Sequence, residues 1–191
     1  MPRTLPSLLL LAALLAASAC GNGRLPGEQA RPEYQGRVIR VLDGDTLDLE
    51  LPDRSRLRVR LAGIDAPERG QPFSKVATDQ LSQWVLEREV RVSWVDQQPA
   101  RGRAPGRVIG DVWLGERLLN RELVEQGLAW AYDAFLRDPS LCAVEQRARE
   151  ERRGLWRAPQ AQWIPPWVHR ARAAGRPDDW VAICPRADLD R

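Results

Sequence analysis

Between Arg37 and Leu61 the chain alternates apolar and polar side chains in three short runs, Arg37–Leu42, Thr46–Leu51 and Ser55–Leu61. A period of two turns one face of each run inward and the other outward, which is the pattern of a half-buried strand. Asp43-Gly44 and Pro52-Asp53 punctuate the runs as turns, so the region is predicted to form a three-strand meander.

Residues 72–114 supply the remaining pieces of a small barrel. Pro72 and Ser74 open a helix that is expected to reach about Arg88, with Ala77, Leu81, Trp84 and Val85 on one face. Val90, Val92 and Trp94 or Val95 mark a fourth strand, Gln97–Gly106 a polar loop, and Val108–Leu114 a fifth strand. Five short strands with a helix between the third and fourth predict an α+β fold dominated by a partly open OB-type barrel, its first helix plugging one end. A short helix over Leu118–Gln126 stops at Gly127. A last long helix starts at Asp138-Pro139 and ends at Gly154, making three helices in all, the later two packed outside the barrel.

The flanks differ in composition from this centre. Arg3 precedes an apolar run from Leu8 to Ala17 and then Ala17-Ser18-Ala19-Cys20. That run is shorter than the ~20 residues a membrane span needs, and the small residues fit a signal-peptidase site. The expected organisation is a signal peptide over 1–19, a flexible tether over 20–34, the folded domain over 35–158, and a Pro/Trp-rich tail over 159–191. A cysteine directly after the small residues resembles the bacterial lipobox, which would make Cys20 the lipidated residue and a membrane anchor. Plain secretion to the periplasm or medium is the alternative. In an exported chain the remaining Cys142 and Cys184 are expected to form one disulfide that pins the tail to a helix.

Residue usage excludes many chemistries. His169 is the only histidine, so paired-imidazole ribonuclease chemistry and most histidine-ligated zinc hydrolases are out. No Cys-x-x-Cys and no Gly-x-Ser-x-Gly is present, and Lys75, the only lysine, lies outside any Walker loop. An EF-hand reading of Asp43, Asp45 and Asp48 fails, because the loop's sixth and twelfth positions are Asp48 and Arg54. With a formal charge of +3 carried almost wholly by arginine, what remains is carboxylate and guanidinium chemistry, suited to hard cations and phosphate.

Alone, Asp43-Gly44-Asp45-Thr46 reads as a hairpin turn, Asp65-Ala66-Pro67-Glu68 as a loop into a helix, and Arg60 as a strand-edge charge. Together they bring carboxylates and an arginine to the start of strand two and the end of strand three. In a meander those points need not be far apart, so one cation and one phosphate could be reached by all of them.

Asp-Gly-Asp-Thr, then Arg60-Leu-x-x-Ile-Asp-x-Pro-Glu68, then Gly106-Arg107 before the fifth strand resemble the staphylococcal nuclease (thermonuclease) family. The resemblance runs from about Val38 to Trp156 and includes Leu118-Leu119-Asn120, Glu125-Gln126-Gly127-Leu128-Ala129 and Arg153-Gly154-Leu155-Trp156; Pro165-Pro166-Trp167 resembles a tail of its bacterial members. It implies a Ca²⁺-dependent nuclease that cleaves DNA and RNA to 3′-phosphate ends and acts as a monomer. Asp45, Asp65 and the carbonyl of Ala66 would bind Ca²⁺, Glu68 would activate or position water, and Arg60 and Arg107 would clamp the phosphate. The tyrosine that adjoins this arginine in the type member is missing from the loop before Arg107; Tyr132 or Trp130 is the alternative stacking surface for bases, with burial in the core the other reading of both. Two rival readings are a nucleic-acid-binding module without catalysis and an envelope lipoprotein whose domain only mediates contacts. Binding-only relatives typically lack the acidic and arginine set that this chain carries complete.

Overall fold

The computed structural model describes residues 32–100, 102, 105–132, 138–177 and 184. The expected export segment, Cys20 and most of the tether lie outside the described residues.

Strands β1 (Glu33–Asp43), β2 (Thr46–Glu50) and β3 (Arg56–Leu61) form the predicted antiparallel meander, with Asp43 opposite Thr46 at the first turn and Thr46 opposite Arg60. β1 begins earlier than the alternation indicates, because its first residues find a partner: Glu33 to Arg37 pair with Ser93 to Glu89 of β5 (Glu89–Gln98). β5 pairs antiparallel with β6 (Arg107–Leu114). β6 returns to β3 in parallel, Val59 beside Val108 and Leu61 beside Gly110. The barrel is therefore closed rather than partly open. Register irregularities in β1, between Val38 and Arg40 and between Val41 and Asp43, and in β5, between Trp94 and Asp96, supply bends of the kind that closing so small a sheet needs.

Helix α1 (Ser74–Val85) buries Ala77, Leu81 and Val85 against the barrel end. It stops short of Arg88 because Glu87 turns into the left-handed region and donates its N–H to the Val38 carbonyl, which swings the chain into β5. Trp84 stays half-buried, with the Arg117 guanidinium 5.3 Å over its ring. The first hairpin turn lies directly under α1. A side chain on Gly44 would stand 2.7 Å from the methyls of both Ala66 and Ala77, so glycine is what lets the helix and the Asp65 loop close on that turn.

Two short pairings carry the rest. β4 (Ile64–Asp65) pairs with β8 (Trp130–Ala131), and β7 (Arg117–Leu118) leads into α2 (Leu119–Glu125). α3 (Ser140–Glu150) packs on α2 and sends Glu145 back to the Ala131 N–H at 2.9 Å. Buried Asn120 accepts the Val112 N–H at 2.9 Å and donates to the carbonyls of Ala62 and Gly110 at 2.9 and 3.2 Å, clasping α2 to the barrel.

Beyond the three expected helices, the tail contributes a fourth, α4 (Pro166–Ala173), after two 3₁₀ turns at Gly154–Arg157 and Gln160–Gln162. Pro166 at its first turn has the helical φ already set and lacks an N–H that would have gone unpaired. Trp167 lies 5.9 Å edge-on to buried Trp130 and 5.2 Å from the Tyr132 ring, and Gln71 donates to the Ile164 carbonyl at 2.8 Å. Cys142 on α3 and Cys184 are disulfide-bonded, Cα to Cα 5.2 Å. Among the described residues no helix is long and apolar enough to cross a membrane.

Candidate active site

A cleft of about 330 Å³ opens where the first turn, the end of β3, the loop after β4 and the start of β6 meet. Asp45, Arg60, Asp65, Ala66, Glu68, Arg107 and Tyr132, each singled out from sequence, all line it. Trp130 does not: it is buried between Trp156 and Trp167 at 4.5 and 5.9 Å and belongs to the core.

Arg60 is the centre of the charge arrangement. Its position near the end of β3, opposite Thr46 and beside Ile109, aims it across the first turn. One terminal nitrogen pairs with Asp45 and the other donates to Asp65 at 2.7 Å. Burial alone would push its pKa down, but the carboxylates of Asp45, Asp65 and Asp43 outweigh it and hold the guanidinium charged. Asp45 also accepts the Ala66 N–H at 2.5 Å and the Thr46 hydroxyl at 3.1 Å, so its side chain is fixed from three directions.

Arg107 enters from the other wall, oriented by the Gln98 side chain, which accepts its Nε–H at 2.7 Å. Its pKa is lowered, first by partial burial and then by the charge of Arg60. Two guanidinium groups that feel each other across one cleft, one of them held by an uncharged amide, form a seat for an anion.

Two residues of the site carry little mark in the sequence. Asp43 suggests only a turn or the failed EF-hand there. In the fold it accepts the Asp45 N–H at 3.1 Å and stands at the cleft mouth, where surrounding protein and then the Asp45 carboxylate push its pKa up to about 6. The group remains exposed, so solvent screens part of that repulsion. Arg170, on α4, donates to both oxygens of Asp65 at 3.1 and 2.8 Å and to Glu68 at 2.5 Å. Its one sequence signal is its place three residues beyond Pro165-Pro166-Trp167.

Among the described residues, no group of three or more acidic, histidine or cysteine side chains converges on a metal-sized point. Arg60 and Arg170 occupy the spaces between the carboxylates instead.

Comparison with known proteins gives the same family as the motifs. Residues 58–158 match the family model described as staphylococcal nuclease homologue. The chain is 37% identical over 178 residues to a protein named ParB from Escherichia coli, spanning 87% of this chain and 96% of that protein. It is 37% identical over 169 residues to a protein named micrococcal nuclease from Shigella flexneri, spanning 83% and 92%. To a protein described as an uncharacterized endonuclease from Escherichia coli it is 36% identical over 141 residues, spanning 73% and 87%. With a closed five-stranded barrel and an acidic, arginine-lined cleft at its first turn, the chain belongs to the staphylococcal nuclease homologue family.

Proposed function

We propose that this nuclease is calcium-dependent, acts on both DNA and RNA, and hydrolyses the phosphodiester so that the phosphate stays on the 3′ end. The observation that carries the reading is the seating of Arg60 between Asp45 and Asp65, with Arg107 across the same cleft. A phosphoryl transition state gains negative charge on its equatorial oxygens, and two guanidinium groups held in place before the substrate arrives stabilise that charge without reorganising.

The donor set fits a hard cation. The groups available are carboxylates and a backbone carbonyl, with no sulfur or imidazole among the described residues that line the cleft, which is calcium's preference. Asp43, pushed up to about 6 by desolvation in the surrounding protein and then by the Asp45 carboxylate, adds a further oxygen at the mouth of the same cleft. Asp45, Asp65 and the Ala66 carbonyl would hold the ion, which when bound polarises the phosphate and lowers the pKa of water. The chain's own residues do the rest. Glu68 orients a water, or takes its proton, as the oxygen attacks phosphorus and the bond to the 5′ oxygen breaks. Arg60 and Arg107 hold the non-bridging oxygens, and Tyr132, its ring 5.2 Å from that of Trp167, offers a face to a base.

Export belongs to the same reading. It is supported by the apolar run and small residues before Cys20 and by the bonded Cys142 and Cys184, which need an oxidising compartment. A lipid on Cys20 would make the membrane a partner, and the mass of the purified N-terminus decides between anchor and free secretion.

The test of function is digestion of single- and double-stranded DNA and RNA with Ca²⁺ or a chelator, followed by analysis of the new ends. Calcium-dependent cutting to 3′-phosphates is expected. Binding without cutting would make the domain a nucleic-acid-binding module instead.

A further inference from the structure

Arg60 and Arg107 are accounted for by the phosphate, but Arg170 is not. It comes from outside the barrel, from a helix of the tail, yet it meets the two carboxylates on which the proposed chemistry depends. Its two terminal nitrogens face the two oxygens of Asp65 in a fork, and one of them bridges to Glu68. Asp65 is 1% exposed, and with Arg60 also on Oδ1 three donor contacts fall on its two oxygens. A cation that is to use Asp65 must share it with, or take it from, a guanidinium.

The two guanidinium groups on Asp65 differ in what holds them. Arg60 is on a central barrel strand, its side chain 12% exposed and also paired with Asp45. Arg170 is on a surface helix, its side chain 40% exposed, and its guanidinium is held by Asp65 and Glu68. Moving Arg170 outward disturbs no strand and exposes a group that is already partly in water. The helix that carries it stays anchored through Trp167 on Trp130 and through the Gln71 contact to Ile164.

We propose that Arg170 is a positioning residue that serves as a resident cation. It holds Asp65 and Glu68 together before the metal arrives and yields Asp65 when the metal binds. The inference rests on the calcium reading above. In the metal-free protein Arg170 neutralises carboxylates that would otherwise repel one another, and the metal then replaces one charge with two. Metal affinity is thereby set partly by a helix outside the barrel.

The experiment is Ca²⁺ titration by calorimetry, without nucleic acid, of the wild-type protein and of Arg170→Gln, Arg170→Lys and Asp65→Asn, with melting curves in chelator and in saturating Ca²⁺. Arg170→Gln keeps a hydrogen-bond donor and removes the charge. It should bind Ca²⁺ about tenfold tighter, the scale of one removed charge beside a buried carboxylate. It should also melt lower than wild type in chelator, with the gap closing in Ca²⁺. Arg170→Lys keeps the charge but not the fork, so it should fall between wild type and Arg170→Gln, and Asp65→Asn should lose binding. A residue that only buttressed the fold would weaken metal binding when lost, so a tightening separates the two roles. Unchanged or weaker binding by Arg170→Gln, with wild-type calcium binding and digestion intact, overturns the role of Arg170 and leaves the nuclease reading standing. Absence of calcium binding in both proteins overturns the two together.

Discussion

The Asp45 carboxylate accepts the backbone N–H of Ala66 at 2.5 Å, although the two lie 21 positions apart. This bond ties the first hairpin turn to the loop after β4, and Arg60 bridges the same two segments through Asp45 and Asp65. Asp45→Ala should therefore act in two ways. Calcium-stimulated digestion should disappear, and the unpaired buried N–H should cost about 1–3 kcal/mol of stability in chelator. A calcium titration of digestion and a denaturant melt of the same preparation check both.

Arg60→Lys and Arg107→Ala should each lower kcat/KM by about a hundred- to a thousand-fold with the fold retained. Lysine cannot reach Asp45 and Asp65 together, since its ammonium is a single point and the guanidinium is a fork. Kinetics on a defined oligonucleotide, with circular dichroism as the control for folding, are the measurement. Activity of either variant within a few-fold of wild type would sink the phosphate-clamp assignment.

Stability should depend on pH through Asp43. Its carboxyl is raised from 3.8 to about 6 in the fold, so the charged form is disfavoured there. The resulting destabilisation is full above about pH 6 and is relieved as pH falls through 6 toward 3.8. Asp43→Asn should consequently melt higher than wild type at pH 7 in chelator, and the difference should vanish near pH 4. Saturating calcium should also erase it, because the ion supplies the missing positive charge.

Asn120→Ala should destabilise the protein by about 2–3 kcal/mol, since it strands the Val112 N–H in the interior and takes a donor from the Ala62 carbonyl, while the Gly110 carbonyl keeps the Ala62 N–H at 2.8 Å. Equilibrium unfolding in urea measures the loss. Trp156→Ala, which empties a fully buried site packed edge-on by Trp130 and Trp163, should cost about 3–5 kcal/mol by the same assay.

The meander is legible in the sequence because half-buried strands write their period directly into the order of side chains, and Asp45, Arg60 and Asp65 sit where that period breaks. Closure of the barrel is not legible. The parallel pairing of Val59 with Val108 joins segments that carry no local mark of each other. Arg170 is hidden for a related reason. It meets Asp65 across 105 positions, from a tail whose prolines and tryptophans follow neither a strand nor a helix period until Trp167 has Trp130 to pack on. Trp130 shows the converse: an aromatic near the site in sequence is claimed by the core once Trp156 and Trp167 surround it.

The parallel joining of β3 to β6 also bears on the order of assembly. Arg60 stands beside Ile109, two residues past Arg107, so the two guanidinium groups share a cleft only after the barrel has shut. A chain that has folded only its first three strands brings Asp45 to Arg60 but has neither Asp65 nor Arg107 in place, and cannot grip a phosphate. During refolding, recovery of cutting should trail the early strand signal and coincide with the last long-range pairing. Cutting should thus be withheld from a partly folded chain until β6 has paired with β3.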